Sequence, residues 1–129
     1  MRITLDKFLG GKLKIYQPTK GYRAGIDSVI LAACVKVLKG YNILDVGSGA
    51  GVISYCLAYR CKDITVTGIE QNIAYYSLAK KSLKLNYLKS KIIFLNKNFV
   101  NINNMESNII ISNPPWFRKN STYISSNIL

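Results

Sequence analysis

The sequence predicts an α/β domain built on a parallel sheet, and three observations carry that prediction. Four short apolar or β-branched runs, Ile43-Leu44-Asp45-Val46, Ile64 to Ile69, Ile92 to Leu95 and Ile109 to Ser112, each end in polar or turn residues. Stretches with helical spacing, Val52 to Tyr59 and Asn72 to Asn86, separate the first three, which is the strand-helix-strand rhythm of parallel connections. The first run passes at Asp45 into Gly47, Gly49 and Gly51 on alternate positions, and helical spacing restarts at Val52, so the glycines occupy a strand-to-helix turn.

Composition narrows the class. A chain of 129 residues, 49% hydrophobic, is expected to form one packed domain over 1–129. No apolar run reaches the roughly 18–20 residues that cross a bilayer, and Met1 to Lys7 has no signal-peptide core. The expected location is therefore cytoplasmic, with no membrane partner. The three cysteines, Cys34, Cys56 and Cys61, are an odd number among apolar neighbours and the chain has no histidine, so buried thiols and no metal site are expected. Eighteen Lys and Arg against six Asp and Glu give +12, which draws a chain towards polyanions such as nucleic acid. A composition rich in Lys, Asn, Ile and Tyr produces the same charge without any binding surface. The scarce acids say more: Asp27 before a helix, Asp45 before the glycine loop and Glu70 at a strand end are expected to do specific work.

Taken in order, Thr4 to Leu9 and Lys12 to Tyr16 flank Gly10-Gly11 and predict a hairpin with a two-residue turn, serving as a cover; residues 1–23 form this hairpin and lid segment. Asp27 is expected to cap a helix running from Val29 to Leu38 and ended by Gly40, lying directly against the sheet. The glycine loop follows. Without Cβ atoms its residues let a ligand lie against bare backbone, and the free N–H groups of the helix start favour an anion. The second strand stops at Glu70, where a carboxylate can accept hydrogen bonds from both hydroxyls of a ribose. Asn72 is expected to cap the next helix, and Asn98 follows the third strand where a nucleoside-binding fold places a side chain beside the base.

The fourth strand ends in Asn113-Pro114-Pro115-Trp116-Phe117. Two consecutive prolines fix φ and remove two donors, holding the Asn113 carboxamide and the neighbouring carbonyl in one presentation, while Trp116 offers a flat stacking face. The spacing around the glycines separates this chain from dinucleotide-binding loops, whose third glycine would fall at Val52.

The runs Phe8 to Gly11, Gln17-Pro18, Gly21-Tyr22-Arg23, Asp27 to Ala33, D-V-G-S-G-A-G from Asp45, Ile69 to Asn72 and Ser112 to Phe117 together resemble the bacterial tRNA-adenine N6-methyltransferases that modify the adenosine beside the anticodon of valine tRNA. The resemblance spans nearly the whole chain. It implies a Rossmann-like class I fold using S-adenosyl-L-methionine (SAM), with strands in the order 3-2-1-4 present and the carboxyl-terminal strands 5–7 missing. It implies SAM held by Asp45, Gly47, Gly49, Gly51, Glu70, Gln71 and Asn98, a target base met by Asn113, Pro114, Pro115 and Trp116, and RNA, a tRNA, as partner. Asn98 stands where the family usually carries an acid. The short carboxyl-terminal side predicts an open strand edge, pairing with a complementary fragment or with itself, and weak or absent turnover by the chain alone. Asn-Pro-Pro-aromatic is shared with protein-glutamine methyltransferases and guanine-N2 rRNA enzymes, so a protein-glutamine N5-methyltransferase and a non-catalytic RNA- or partner-binding remnant stand as alternatives.

Overall fold

The computed structural model describes residues 1–115. Along the chain run β1 (Ile3–Phe8), β2 (Leu13–Pro18), α1 (Ile26–Cys34), β3 (Asn42–Val46), α2 (Val52–Arg60), β4 (Thr65–Ile69), α3 (Ile73–Ser82), β5 (Lys91–Leu95) and β6 (Ile109–Ile111). Short 3-10 turns lie at Leu83–Leu85 and Phe99–Asn101. β1 and β2 form an antiparallel hairpin, and the other four strands form a parallel sheet in the order β5-β4-β3-β6. The glycine-loop strand is therefore interior, as the expected order requires.

Alternate strand residues divide the sheet into two faces. Ile43, Val66, Phe94 and Ile111 face the helices and join one core with Val52, Tyr55, Leu57 and Ala58 of α2 and Ala79 of α3. The Tyr55 hydroxyl donates to the Ala79 carbonyl at 2.6 Å, tying α2 to α3 from within that core. On the other face the cross-strand row is Ile93, Thr67, Leu44 and Ile110. Ile110 is 63% exposed there, on the edge strand of the described residues.

Three local expectations are corrected. The hairpin keeps the register of a turn centred on Gly10-Gly11, but the ladder ends at Phe8 opposite Leu13, leaving a four-residue loop. Leu9 takes φ 51° and leaves the strand one residue early, followed by Gly10 and Gly11 at 64° and 85°. In α1 the N-cap is Gly25 and Asp27 lies inside the first turn, where its carboxylate is turned to other partners. This helix ends at Cys34, not near Gly40, and packs chiefly on α2; the Arg60 guanidinium holds its end by donating to the carbonyls of Ala32 (3.0 Å) and Val35 (2.7 Å). Only Ser28 and Ala32 of α1 are buried, so Cys34 is exposed, contrary to the buried thiols expected; Cys56 is buried and Cys61 half-buried.

β2 would present an unpaired edge, and side chains from the end of α3 and from the 3-10 turn after it cover that edge. Ser82 Oγ accepts from the Tyr16 N–H at 2.9 Å, and the Asn86 carboxamide exchanges two hydrogen bonds with the Lys14 backbone, both 2.8 Å. Leu13 and Ile15 are fully buried beneath this contact. Among the described residues no helix is long and apolar enough to cross a membrane, and no group of three or more His, Cys, Asp or Glu could hold a metal ion.

Candidate active site

Parallel strands deliver their carboxyl ends to one rim, and here that rim borders a cleft of about 780 Å³. Its wall includes Gly47, Gly49, Glu70, Gln71, Asn98, Asn113, Pro114 and Pro115, together with Tyr22, Asn72 and Tyr75. Eight residues expected at the site thus share one cavity. Trp116 lies outside the described residues.

The loop glycines have two different jobs. Gly47 and Gly49 have φ of 68° and 55°, and a Cβ added at either would meet open space. These two leave bare backbone at the cleft. Gly51, at φ 88°, faces inward: a Cβ there would lie 2.6 Å from the Phe94 ring, so this glycine lets α2 approach β5. Four N–H groups of the loop ahead of α2 are occupied. Those of Gly47 and Ser48 donate to the Ile69 carbonyl (2.9 and 3.0 Å), that of Gly49 to Glu70 Oε2 (2.9 Å) and that of Gly51 to the Ser48 carbonyl (2.8 Å). The tight turn satisfies its own donors, because backbone buried this closely against β4 has no water to bond.

Asp45 is fully buried beneath the loop and does not line the cleft. Its Oδ2 accepts from the Ser54 hydroxyl at 2.7 Å, while Oδ1 and the Ser48 hydroxyl are buried without a partner among the described residues. Burial pushes this carboxyl up to about 6 against the bonds from Ser54, and the Glu70 charge adds to the rise.

Glu70 sits at the end of β4 between two loops. One carboxylate oxygen accepts from Gly49 N–H at 2.9 Å and the other from Asn72 N–H at 2.8 Å. Asn72 caps α3 as expected, its side chain accepting from Ala74 N–H at 2.9 Å. Asn96, which the sequence did not single out, donates to the carbonyls of Glu70 (2.8 Å) and Gln71 (3.0 Å) and locks the end of β5 to that of β4. Asn98 Oδ1 accepts from Val100 N–H at 3.1 Å, so the group this side chain has left to offer a ligand is chiefly its NH₂ donor.

Asn113 follows β6, and its amide nitrogen meets three oxygens from one distant segment: Asp27 Oδ2 at 2.7 Å, Ser28 Oγ at 3.1 Å and the Tyr22 hydroxyl at 3.4 Å. The bond from Asn113 holds the Asp27 carboxyl below its ordinary range. Burial raises the Tyr22 phenol. Tyr22 is itself placed from two sides. The Tyr75 hydroxyl donates to its carbonyl at 2.9 Å, and the neighbouring Arg23 donates to Thr4 Oγ1 (3.0 Å) and the Pro18 carbonyl (2.6 Å) and pairs with Asp6. Gln17, fully buried, closes the strap by exchanging bonds with Ala24. The scarcity of acids had marked Asp27 in the sequence, but nothing local linked it to Asn113.

The cavity suits a nucleoside cofactor by size, since small-molecule pockets occupy roughly 300–1,000 Å³. Bare backbone at Gly47 and Gly49 and an acceptor-rich Glu70 beside it fit SAM's hydroxyl-bearing ribose.

Comparison with known proteins agrees. A tRNA1(Val) (adenine(37)-N6)-methyltransferase from Flavobacteriaceae bacterium (strain 3519-10) is 29% identical over 110 residues, 84% of this chain and 48% of that protein. A release factor glutamine methyltransferase from Fusobacterium nucleatum is 32% identical over 101 residues, 70% of this chain and 27% of that protein. The chain thus spans less than half the length of either relative. The structure of the Thermus thermophilus 16S rRNA N2 G1207 methyltransferase in complex with AdoMet and guanosine matches with a TM-score of 0.66 at 23% identity, covering 90% of this chain and 33% of that one. The described residues thus share the Rossmann-like methyltransferase fold. Residues 23–128 match the family model "Methyltransferase small domain", and the chain belongs to that family of SAM-dependent methyltransferases.

Proposed function

We propose that this chain carries the cofactor site and target-base loop of a cytoplasmic enzyme that methylates the exocyclic N6 of adenine in RNA, a tRNA. The observation that carries the reading is the single cleft shared by Glu70, the glycine loop and Asn113-Pro114. Bound SAM supplies an electrophilic methyl group on a sulfonium, a leaving group that needs no acid. The protein's share is to bind and align, and orientation of this kind contributes on the order of 7–11 kcal/mol.

Glu70 has spent one lone pair of each oxygen on a backbone N–H, and a carboxylate keeps further acceptor sites for two ribose hydroxyls. Asn98 offers donor hydrogens to a ring nitrogen of the cofactor's adenine, Gln71 closes the same side of the cleft, and Asp45 supports the loop from below. At the other wall, Asn113 Oδ1 and the Pro114 carbonyl accept from the target amino group, drawing its nitrogen towards pyramidal geometry and freeing the lone pair for attack. The methylated nitrogen then carries one surplus proton, which leaves to water after transfer, so no strong base is needed and a chain without histidine suffices. Pro114 and Pro115 fix the loop, and Trp116 stacks on the base, a contact worth roughly 1–3 kcal/mol.

The amino-terminal strap and the adenine-N6 relative support tRNA; the likeness to a release factor glutamine methyltransferase keeps a protein glutamine as second reading. Radiolabelled SAM offered with unmodified valine tRNA and, separately, with a release factor decides between them. Label recovered as N6-methyladenosine after nuclease digestion supports the first; label confined to the factor replaces it.

A further inference from the structure

Asp27 holds a carboxylate that the rest of the fold does not explain. Among the described residues the ion pairs are Arg23 with Asp6 and Lys39 with Asp63, and Asp27 belongs to neither. It does not serve as the N-cap of α1; its Oδ1 accepts the N–H of Gly25 at 3.2 Å, and the backbone of the first helical turn lies against the same carboxylate. What remains is the 2.7 Å bond from Asn113 Nδ2 to its Oδ2. Residue 27 lies in α1, which packs on α2, and residue 113 follows β6, so the bond links two parts of the chain that share no strand pairing.

The partners fix which way the carboxamide points. Asp27 is acceptor-only when ionised, so the nitrogen of Asn113 must face it; the flipped amide would set oxygen against oxygen at 2.7 Å. Ser28 and Tyr22 offer acceptors to the same nitrogen. We propose that Asp27 is a positioning residue for the substrate-facing carboxamide: it holds the Asn113 nitrogen inside the fold, leaves Oδ1 as the group presented to substrate, and strengthens that oxygen as an acceptor. The last effect follows from amide resonance. A carboxylate drawing on the N–H hydrogen increases donation from nitrogen into the carbonyl, and linked hydrogen bonds reinforce one another by about 10–30% each in condensed phase. The inference rests on the role given to Asn113 above.

The test uses the full chain, with Asp27→Ala and Asp27→Asn. The side-chain amide signals of Asn113, identified by their loss in Asn113→Ala, are followed by nitrogen-proton NMR. In the wild type one amide proton should be shifted downfield and exchange slowly. Asp27→Ala should erase that shift, and Asp27→Asn, which keeps an oxygen but no charge, should restore part of it. SAM affinity by calorimetry should stay within about twofold for both. In the transfer assay kcat should fall roughly ten- to a hundredfold for the alanine variant and less for the asparagine variant, as for a lost charged hydrogen bond, with KM for SAM unchanged. Identical Asn113 signals in wild type and Asp27→Ala would overturn the inference, as would SAM affinity falling in step with kcat. A wild type that shows Asp27-dependent Asn113 signals yet transfers label to a release factor and not to tRNA would overturn the proposed reaction and leave the positioning intact.

Discussion

Glu70 and Asn113 occupy equivalent places, each following the carboxyl end of a parallel strand on the same cleft, yet they are held in opposite ways. Glu70 is fixed by backbone: the N–H of Gly49 in one adjoining loop and of Asn72 in the other. Asn113 is fixed by side chains, those of Asp27, Ser28 and Tyr22, from a segment more than eighty residues earlier. The difference teaches that the cofactor wall assembles wherever β3, β4 and their turns form. The substrate wall forms only once the amino-terminal strap has docked.

The comparison breaks first under truncation of the two side chains themselves. On the proposed reading Asn113→Ala removes the acceptor for the target amino group and should lower kcat by roughly 100–1,000-fold, the scale for a lost transition-state hydrogen bond, with SAM affinity nearly unchanged. Glu70→Ala should weaken SAM binding by about 1.5–3 kcal/mol through loss of a charged acceptor, and it also releases the Gly49 and Asn72 N–H groups it ties together. Calorimetry and single-turnover transfer, run on both variants, separate the walls. Equal effects of either substitution on both measurements would show one undivided site.

Acid separates the walls by sign. Asp45, beneath the cofactor loop, has its carboxyl raised from 3.8 to about 6 by burial. The folded state therefore prefers it protonated: this contribution to stability is full below about pH 4 and is lost as pH rises through about 6. Asp27, at the substrate wall, has its carboxyl lowered from 3.8 by Asn113, so its contribution is present above that value and is lost as pH falls below it. Urea midpoints measured from pH 3 to 7 should show Asp45→Asn flattening the decline between about 4 and 6, and Asp27→Asn flattening the fall at the acid end. Asp27 is largely exposed, and its effect should be the smaller.

The same contrast explains what was legible in the sequence. The four strands, the helix start at Val52, the Asn72 cap and the placing of Glu70 all depend on neighbours within a few residues, and reading along the chain finds them. Ile30 was expected on a helix lying against the sheet, but it is 55% exposed because α1 meets α2 rather than the strands. No periodicity encodes that choice. Gly51 was grouped with Gly47 and Gly49 because spacing alone cannot tell a glycine that faces a ligand from one pressed against Phe94. The Asp27–Asn113 bond was invisible for the same reason, since it depends on how distant elements dock.

The smallest effect gives the sharpest division. Asn72→Ala removes the α3 cap at the cofactor wall, a loss of about 1 kcal/mol by the usual worth of such caps. Arg23→Gln removes the clamp that ties the hairpin to the strap, and with the pair one-third exposed it should cost a similar amount, about 1 kcal/mol or less. Asn72 lines the cleft and Arg23 does not, so a functional change on Arg23→Gln reports positioning. Asn72 shares Glu70 with the glycine loop, and losing its cap should loosen the ribose acceptor and lower SAM affinity about threefold to tenfold. Arg23 anchors the segment that carries Tyr22 to the hairpin, and its loss should leave SAM affinity alone while lowering kcat by a similar factor. Matching the two variants for stability by urea titration before assaying them removes unfolding as an explanation. If Arg23→Gln weakens SAM binding as much as Asn72→Ala does, the strap supports the whole cleft, and the separate assembly of its two walls fails.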